Sequence, residues 1–577
     1  MPSKLRWLLP KIDEAAVRSL AESLELQVPA VRVLWKRGYR DPEAVRRFLH
    51  PSIDDLHDPF LLKDMRPAVE RLQRAIVNKE KILLYGDYDV DGATSIVVLK
   101  KAIELTGGSA AFHVPHRLRD GYGMRPEVVD RAAADGVNLI VSVDTGIRAA
   151  ATVARANALG IDVIVTDHHL PDTELPPACA VLNPNRRDCE YPEKNLCGAG
   201  VAFKLVQALF GMQGWTASKQ RRMIQSFLKL VAIGTVADVV PLTGENRILV
   251  KHGLVGLRTV SNPGLRALLD VSGVAEGDSP SASQIAFRIA PRMNAAGRMA
   301  DANDVIDLFL TEDQDRAREI AAQLHELNQE RQQAEAEITK AILDECEKRQ
   351  VTEDQMALVF SGANWHRGVV GIVANRLVDK FTRPVFVLSE STGEDVAQGS
   401  GRSIPAFHLL DALESMSDLF THFGGHRQAA GLTLSRSRVD EFRRRLNEYA
   451  AAKLSPADLV SELEVDATIN LHEINEKSVN EILSMAPFGH GNPLPVFAAQ
   501  AVGLAGQPSV LKNKHLRVGL TQEGRTVIAK AWNFIERADD FAPGAVLDVA
   551  MTLDADPYAL SRGYSGWSAV LKDVKPA

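Results

Sequence analysis

Three aspartates occupy alternate positions directly after a short apolar run in the first third of the chain. The run and its continuation have the sequence ILLYGDYDVDGATS at residues 82–95, and the acidic residues are Asp87, Asp89 and Asp91. Alternate residues of an extended segment point to one side, so we expect the three carboxylates to lie together where a strand ends. Carboxylates this close repel one another by several kcal/mol unless a cation lies between them. The segment therefore predicts a metal site.

Further acidic residues and two histidines follow later apolar runs in the same way. LIVSV precedes one aspartate, VIVT precedes an aspartate and a histidine pair, and the segment at 228–236 brings another aspartate from a helix. These candidates are Asp144, Asp167, His168, His169 and Asp238. A single acidic residue after a strand is commonly a turn residue or a helix cap. Capping does not explain four such positions with a histidine pair among them.

The ligand types indicate two divalent cations. Carboxylate oxygens with one or two imidazoles suit Mn²⁺ or Mg²⁺, whereas Cys179, Cys189 and Cys197 lack the spacing of a zinc site. Two such ions, roughly 3.5 to 4 Å apart, stabilise the attacking and the leaving oxygen of a displacement at phosphorus and activate a water molecule. We therefore expect hydrolysis of a phosphoester.

The elements that position these residues alternate between strands and helices. The expected strands are at 82–85, 111–115, 139–143 and 163–166, and the expected helices are at 68–78, 94–106, 126–135 and 149–159. This alternation is typical of a mainly parallel sheet. Such a sheet binds ligands outside the carboxyl ends of its strands, where the candidate residues fall.

The length of 577 residues predicts several domains. We expect a helical lead-in, an α/β catalytic domain, a long connecting helix, a second α/β domain and a β-domain. Their expected ranges are 1–60, 61–311, 312–349, 350–460 and 461–577. A coiled-coil dimerisation helix is the alternative for the connecting helix, but its apolar stripe is thin and lacks sustained heptads. We interpret it as a rigid strut that bounds a groove between the two α/β domains.

The composition is that of an ordinary globular protein, with 45% apolar and 24% charged residues. A net charge of −7 argues against a broadly basic nucleic-acid coat but allows a locally positive groove. Four cysteines are too few for a disulfide framework, and no apolar leader or run of 18 apolar residues occurs. We expect a cytoplasmic protein that does not enter a membrane.

The motifs resemble those of a known family. Four segments resemble, in order and spacing, the four motifs of the DHH phosphoesterase superfamily: GDYDVDGATS, VDTG, TDHH and GTVADVVPL. Nearly the whole chain is similar to its RecJ family of single-strand-specific exonucleases, through HRLRDGYG, VLNPN, GAGVAFKL, PRMNAAGR, WHRGVVGIVA, GSGRS and GGHRQAAG. Thr145 departs from the Asn or Cys common in that family, which puts no ligand in doubt. The resemblance implies a parallel-sheet DHH domain, a DHH-associated domain and a C-terminal OB-fold.

The resemblance also implies a metal centre and the residues that form it. The implied metal ligands are Asp87, Asp89, Asp91, Asp144, Asp167, His168, His169 and Asp238. Among these, Asp89, Asp144, His168 and His169 are the implied catalytic residues, and Asp144 is the natural bridging carboxylate. The sequence leaves open whether Asp167 and His169 bind metal or instead orient His168.

The implied substrate contacts lie on both sides of the expected groove. They are Arg117, Tyr122, Arg292, Arg298, Ser400, Arg402, Gly424, Gly425 and His426. Arginine binds phosphate through two hydrogen bonds and an aromatic ring stacks on a base, although a structural arginine or a tight-packing glycine loop is the alternative at these positions. In the β-domain, cations and rings suit a single-stranded nucleic acid, but acidic residues outnumber basic ones there. These residues are Lys512, Lys514, His515, Arg517, Trp532 and Tyr564.

The expected function is 5′-to-3′ digestion of single-stranded DNA in repair and recombination. We expect a monomer that acts on single-stranded DNA, and the resemblance implies single-strand binding protein and a RecQ-type helicase as partners. One alternative is a DHH phosphodiesterase for short oligonucleotides or cyclic dinucleotides, against which the lead-in and the β-domain argue. The other is a non-catalytic DHH-fold scaffold, against which the complete set of ligand positions argues.

Overall fold

The structure of the chain is a computed structural model, which describes residues 5–117, 119–121, 123–349, 355–561, 563 and 565–577. Tyr122, an expected base contact, and Tyr564 lie outside the described residues. Across the described ranges, no helix combines the length and the apolar character needed to cross a membrane.

The N-terminal segment forms one short strand and three helices. They are β1 (Arg6–Leu8), α1 (Glu14–Leu24), α2 (Val28–Lys36) and α3 (Pro42–Leu49). Asp13 and Asp41 cap α1 and α3 by accepting hydrogen bonds from backbone N–H groups of the first turn, and prolines occupy the first turns of α2 and α3, where no intrahelical donor is lost.

The first α/β domain, which is the expected catalytic domain, contains a five-stranded parallel sheet in the order β3-β2-β4-β5-β6. Its strands are β2 (Ile82–Tyr85), β3 (Ala110–His113), β4 (Leu139–Val143), β5 (Asp162–Thr166) and β6 (Ala180–Leu182). Its helices are α4 (Met65–Val77), α5 (Val90–Leu105), α6 (Pro126–Ala134), α7 (Ala150–Ala158), α8 (Gly198–Gly211), α9 (Ala217–Ala237), α10 (Gly244–Gly256), α11 (Pro263–Val271), α12 (Ala282–Gln284), α13 (Ala290–Met299) and α14 (Asn303–Leu310), with a π-helical turn at Ile285–Ile289. Every residue of β2 and β4 is buried, as expected of a sheet with helices on both faces.

One local prediction was wrong. Helix α5 begins at Val90, four residues earlier than expected, with Asp89 as its N-cap. Asp91 therefore lies in the first helical turn, and alternation along an extended strand does not bring the three aspartates together. They converge because the chain leaves β2, turns through a loop and enters the helix within a few residues.

Helix α15 (Gln314–Arg349) connects the two α/β domains. At 1.5 Å per residue it is about 54 Å long. Ile320 and Leu324 in its first half join the core of the catalytic domain, while Ile338 and Ile342 join the core of the second domain. Its apolar stripe is thus covered within the chain itself.

The second α/β domain has a five-stranded mixed sheet in the order β10-β11-β9-β8-β7. Its strands are β7 (Leu358–Ala363), β8 (Val385–Glu390), β9 (Ala397–Arg402), β10 (Phe420–Gly425) and β11 (Ala429–Leu434), and its helices are α16 (Val370–Phe381), α17 (Leu409–Glu414) and α18 (Val439–Lys453). Strands β7 and β8 are parallel, and the remaining neighbours are antiparallel.

The C-terminal domain is built around a barrel. Its strands are β12 (Glu462–Glu464), β13 (Ala467–Thr468), β14 (Val496–Leu504), β15 (Ser509–Leu511), β16 (His515–Gln522), β17 (Arg525–Ala531), β18 (Leu547–Ala555) and β19 (Trp567–Pro576), and its helices are α19 (Glu476–Ser484) and α20 (Pro557–Ser561). Pairing of β14 with β16 closes a ring through β18, β19 and β17. Five strands in a closed ring are the architecture of an OB-fold.

The N-terminal helices share the core of this C-terminal domain, which the sequence did not predict. Val17, Val33 and Phe48 are buried in the same apolar cluster as Phe497 and Leu571. Strand β1 also pairs in parallel with β12. The two ends of the chain therefore form one body.

Candidate metal centre

Most of the predicted ligands meet at the carboxyl ends of three adjacent strands. The sheet places β2, β4 and β5 side by side and parallel, so the loops that follow them share one edge. These loops carry Asp87, Asp144 and the Asp167-His168-His169 triplet, while Asp238 arrives at the C-terminal cap of α9.

The side chains form three overlapping groups whose ligand atoms lie within 4.8 Å of one another. These groups are Asp144 with His168 and His169, Asp91 with His168 and Asp238, and Asp87 with Asp89 and Asp144. His168 Nε2 is 3.2 Å from Asp144 Oδ1 and 3.7 Å from Asp238 Oδ2. Asp144 and His168 each belong to two groups, so they occupy the middle of the cluster.

The charges in this cluster match a site for cations. Burial, together with neighbouring aspartates, raises the pKa of Asp87 to about 8 and that of Asp238 to about 9, and raises the pKa of Asp91 and of Asp144 as well. Burial lowers the pKa of His168, which favours the neutral imidazole that metals bind. No hydrogen bond satisfies the buried Asp87 Oδ1 or His168 Nε2 within the described part of the chain. A divalent cation would offset the repulsion among the aspartates and would give Asp87 Oδ1 and His168 Nε2 a ligand bond.

Backbone N–H groups orient two of these carboxylates. Asp91 accepts hydrogen bonds from the N–H groups of Gly198 (2.5 Å) and Ala199 (2.9 Å) at the start of α8. The positive end of that helix therefore holds the carboxylate in place. Asp89 accepts from the N–H of Gly92 at 3.0 Å as the cap of α5.

Asp167 differs from the other candidates because its oxygens are already engaged. It accepts from the N–H groups of Ile147, His168 and His169 and lies 2.7 Å from His169 Nδ1. Burial alone would raise its pKa, but the contacts with His169 and the backbone donors outweigh it and hold the pKa below the usual value. Burial alone would lower the pKa of His169, but the hydrogen bond that its ring makes to Asp167 outweighs burial and raises that pKa. The pair is arranged so that Asp167 fixes the ring of His169.

Gly198 is a functional position that the ligand motifs did not reveal. A Cβ on this residue would lie 2.6 Å from Asp144 Cβ and 2.8 Å from Asp144 Oδ1. The missing side chain lets α8 approach both Asp144 and Asp91. The only signal for it in the sequence is the glycine pair of GAGVAFKL.

We expect Gly198→Ala to weaken Mn²⁺ binding and nucleotide release by about 10- to 100-fold, because displaced ligands lose affinity on this scale. The change should leave the barrel and the second α/β domain folded. Isothermal titration with Mn²⁺ and a nuclease assay measure the two effects. Gly211→Ala is the control, since its Cβ would meet nothing nearer than Gln220 Nε2 at 3.7 Å. Equal activity of both variants would contradict the prediction.

Removing the metal should make stability depend on pH. The fold raises the pKa of Asp87 and Asp238 from 3.8 to about 8 and about 9. In the metal-free protein, the neutral form of each carboxyl contributes to the free energy of unfolding, and this contribution is complete below about pH 4. It is lost as the pH rises from there through the folded-state pKa, by about 1.4 kcal/mol per group and pH unit. We expect the melting temperature in EDTA to fall below that in Mn²⁺ by a margin that grows from pH 6 to pH 9. Asp238→Asn should shrink the margin, and a margin independent of pH would contradict the prediction.

A cluster of arginines faces this centre. Burial and the neighbouring charges of Arg117, Arg331 and Arg402 lower the pKa of Arg298 to about 10, against the opposing effect of Asp89. Arg298 donates to the carbonyl of Gly368 at 3.0 Å, so α13 contacts the second domain there. Like charges that lower one another's pKa favour the binding of an anion between them. The arginines of this cluster come from the first α/β domain, from α15 and from β9.

Among the described residues, only one arginine of the cluster forms an ion pair with a carboxylate in direct contact. Arg331 on α15 pairs with Glu335 at 2.9 Å, and the sequence did not single it out. Arg117 lies over the ring of Tyr88, with 4.9 Å from Cζ to the ring centroid. Arg402 donates to the carbonyl of Gly401 at 2.8 Å. The remaining donors of Arg117 and Arg402 are therefore available to a phosphate.

His426 and Ser400 lie on the second domain's side of the groove. His426 lines a cavity of about 830 Å³ together with His168, His169 and Leu170. Ser400 lies next to Arg402 near the start of α16, where a Cβ on Gly371 would be 3.2 Å from Arg402 Nη2 and 3.5 Å from Ser400 Oγ. The cavity extends from the candidate ligands to His426 of the second domain, and the role of Ser400 and His426 as substrate contacts stays a prediction.

Three other expected contacts have different surroundings. Gly425 has a φ of +148°, and a Cβ there would lie 2.4 Å from the carbonyl oxygen of Ala429, so this glycine allows close packing of β10 on β11. A Cβ on Gly424 would meet no atom within 4 Å. Arg292 donates to His325 Nδ1 at 3.1 Å and to the carbonyl of Arg288, which ties α13 to α15.

Comparisons with known proteins agree with this architecture. The family model of the DHH family N-terminal domain matches residues 81–235, the DHHA1 domain matches 353–452, and the RecJ OB domain matches 465–563. A single-stranded-DNA-specific exonuclease RecJ from Dickeya dadantii is 40% identical over 84% of this chain and 85% of its own length. The RecJ of Bacillus subtilis is 38% identical over 95% of this chain and 68% of its own length.

A solved structure covers the whole chain. The crystal structure of RecJ from Thermus thermophilus in complex with Mn²⁺ matches with a TM-score of 0.83 and 30% identity, over 100% of this chain and 80% of that chain. The same protein in complex with Mg²⁺ matches with a TM-score of 0.77 and 29% identity, over 99% of this chain and 79% of that chain.

Proposed function

Because this chain belongs to the RecJ family of single-stranded-DNA-specific exonucleases, we propose that it draws the 5′ end of single-stranded DNA into the groove between its two α/β domains. The chain is a metal-dependent exonuclease that acts on single-stranded DNA and uses Mn²⁺ or Mg²⁺. The observation that supports the groove is the position of the buried acidic cluster opposite the arginine cluster.

We assign the metal ligands as Asp87, Asp89, Asp91, Asp144, His168, His169 and Asp238. When bound, the two ions stabilise charge on the phosphate and activate the attacking water. Asp144 is the proposed shared ligand, because it belongs to two of the three ligand groups and lies on the middle strand. We propose that Asp167 is instead a positioning residue that holds the ring of His169.

The remaining residues of the groove bind and align the phosphates. Arg117 and Arg402 have donors free of carboxylate partners among the described residues, and Arg298 is half-buried beside them. These guanidinium groups would hold the terminal phosphate, with Ser400 and His426 contacting it from the second domain. We propose that single-strand selectivity is steric, through a groove between the two α/β domains that admits a single strand and excludes a duplex.

The direction of digestion is tested with end-labelled strands. A single strand labelled at its 5′ end should release labelled mononucleotide in the first turnovers, whereas a 3′ label should stay with the long product. Parallel reactions with Mn²⁺ and Mg²⁺ compare the two metals. Release of labelled mononucleotide first from the 3′ end would overturn the proposed direction. Cleavage confined to dinucleotides would overturn the proposal and favour the phosphodiesterase alternative.

Protein partners and the biological setting belong to the same proposal. We propose a cytoplasmic monomer that acts in repair and recombination with single-strand binding protein and a RecQ-type helicase. The four free cysteines of the described chain are consistent with a reducing compartment. Light scattering tests the monomer, and co-purification with each partner tests the two interactions.

A further inference from the structure

A turn of the C-terminal domain lies against the loop that carries Asp238. The turn comprises residues 485–493, between α19 and β14, and the loop comprises residues 238–243, between α9 and α10. The backbone N–H of Leu242 donates to the carbonyl of His490 at 2.7 Å. The barrel domain thus contacts the catalytic domain four residues from a proposed metal ligand.

Two glycines make this contact close. A Cβ on Gly491 would lie 2.8 Å from Pro241 Cβ and 3.1 Å from Pro241 Cα, and a Cβ on Gly489 would lie 2.7 Å from Leu242 Cδ1. Gly491 also has a φ of +70°, a conformation that other residues rarely adopt. The turn therefore leaves no room for a side chain between itself and the loop.

Buried hydrogen bonds fix the turn within its own domain. The fully buried Asn492 donates through Nδ2 to the carbonyls of Met485 (3.0 Å) and Pro487 (2.8 Å). Its Oδ1 accepts from Nη1 of Arg37, the residue that follows α2, and Arg37 pairs in turn with Asp466 at 3.2 Å. The turn is consequently a rigid surface rather than an adaptable loop.

The catalytic domain holds the same turn from the side of α10. Arg247 Nη2 and Lys251 Nζ both donate to the carbonyl of Ala486, at 3.0 and 3.1 Å. Arg247 Nε donates to the carbonyl of Phe48 at 2.7 Å. These hydrogen bonds attach the domain formed by the N-terminal helices and the barrel to α10, the helix that follows the Asp238 loop.

Asp238 is the ligand that depends most on this loop. Asp91 and Asp167 are held by backbone N–H donors, whereas no hydrogen bond to the Asp238 carboxylate is found in the described residues. Its side chain is 23% exposed, against 2% for Asp144. Val239 next to it has a φ of +59°. The end of α9 holds the backbone of Asp238, whose N–H donates to the carbonyl of Gly234 at 2.9 Å. Because no hydrogen bond to the carboxylate is found in the described residues, a shift of the loop that begins at Val239 would move the Asp238 side chain relative to the other ligands.

We propose that the 485–493 turn positions Asp238, so that docking of the C-terminal domain sets the affinity for one of the two divalent ions. The turn touches no reacting atom and acts through Pro241 and Leu242. This inference rests on the metal assignment made above. It gives the barrel domain a role in the metal centre that is separate from any contact with DNA.

The test compares two glycine variants of the full-length protein. Gly491→Ala places a methyl group against Pro241. Gly524→Ala is the matched control, because Gly524 has a similar φ of +79° and a Cβ there would meet nothing within 4 Å. Mn²⁺ binding is measured by isothermal titration and electron paramagnetic resonance, and folding by thermal unfolding. We expect one of two Mn²⁺ ions to bind about 10-fold more weakly in Gly491→Ala, while the control keeps wild-type affinity.

Three outcomes would overturn the positioning role. The first is a folded Gly491→Ala that binds both ions with wild-type affinity, and the second is equal weakening of Mn²⁺ binding in Gly491→Ala and Gly524→Ala. The third applies if Gly491→Ala does not fold, and it is a Gly489→Ala variant that binds both ions with wild-type affinity. Asp238→Asn separates this failure from failure of the metal assignment. If Asp238→Asn keeps both ions at wild-type affinity, the assignment fails; if it loses one ion and Gly491→Ala loses none, only the positioning role fails.

Discussion

Asp144→Ala is expected to reduce Mn²⁺-dependent nucleotide release at least about 1000-fold. Loss of a ligand from a two-metal centre removes several kcal/mol of transition-state stabilisation, and each 1.4 kcal/mol is a factor of ten in rate. Asp144 belongs to two ligand groups, so the change should affect both ions. The arginine cluster is untouched, so binding of single-stranded DNA without metal should stay within about twofold.

Three measurements check this prediction. A single-turnover nuclease assay with excess enzyme reports chemistry, fluorescence anisotropy in EDTA reports DNA binding, and isothermal titration reports the number of Mn²⁺ ions bound. Asp135→Ala is the control, because Asp135 is exposed at the C-terminal cap of α6, away from the ligand loops. If Asp144→Ala cleaves at more than a tenth of the wild-type rate, the assignment of Asp144 as a metal ligand is wrong.

An isosteric change at the same position separates function from stability. Asp144→Asn keeps the shape of the side chain but removes an acid whose pKa is raised by burial and by Asp91. We expect this variant to be inactive and yet, in EDTA at pH 8, more resistant to heat than the wild type. A buried acid kept for chemistry costs stability in this way.

Arg402→Ala is expected to raise the KM for 5′-phosphorylated single strands by about 10- to 100-fold. A hydrogen bond to a charged group contributes roughly 1.5 to 3 kcal/mol, and Arg402 is half-buried beside Arg117 with no carboxylate partner among the described residues. Because the proposed role of Arg402 is to bind phosphate rather than the metals, kcat should change less than KM. Arg402→Lys should recover little, since lysine lacks the planar fork of donors.

The terminal phosphate provides the control for this prediction. For a strand with a 5′-hydroxyl, wild-type and Arg402→Ala should differ much less than for the phosphorylated strand. Arg444→Ala is the matched variant in the same domain, because Arg444 is exposed and pairs with Glu448 on its own helix at 2.8 Å. If both strands lose the same factor in Arg402→Ala, the arginine does not contact the terminal phosphate.

The sequence by itself determined the fold that presents the candidate ligands, and it predicted their types and their order along the chain. Apolar runs of the right length for buried strands end at Asp87, Asp144 and Asp167, and parallel strands necessarily bring their carboxyl ends to one edge. The predicted start of helix α5 was wrong, because the conformation of this segment depends on contacts with residues far away in the sequence. Asp91 lies in a helix, because Asp89 caps that helix and the N-terminus of α8 supplies donors to Asp91.

Only the tertiary structure decided how the distant parts of the chain complete this centre. Gly198 admits α8 beside Asp144, Arg331 joins the arginine cluster from α15, and Gly491 places the barrel domain against the loop of Asp238. The N-terminal helices complete the core of a domain that begins more than 400 residues later. Periodicity and motif spacing report the interactions of near neighbours, whereas these contacts join surfaces that only packing brings together.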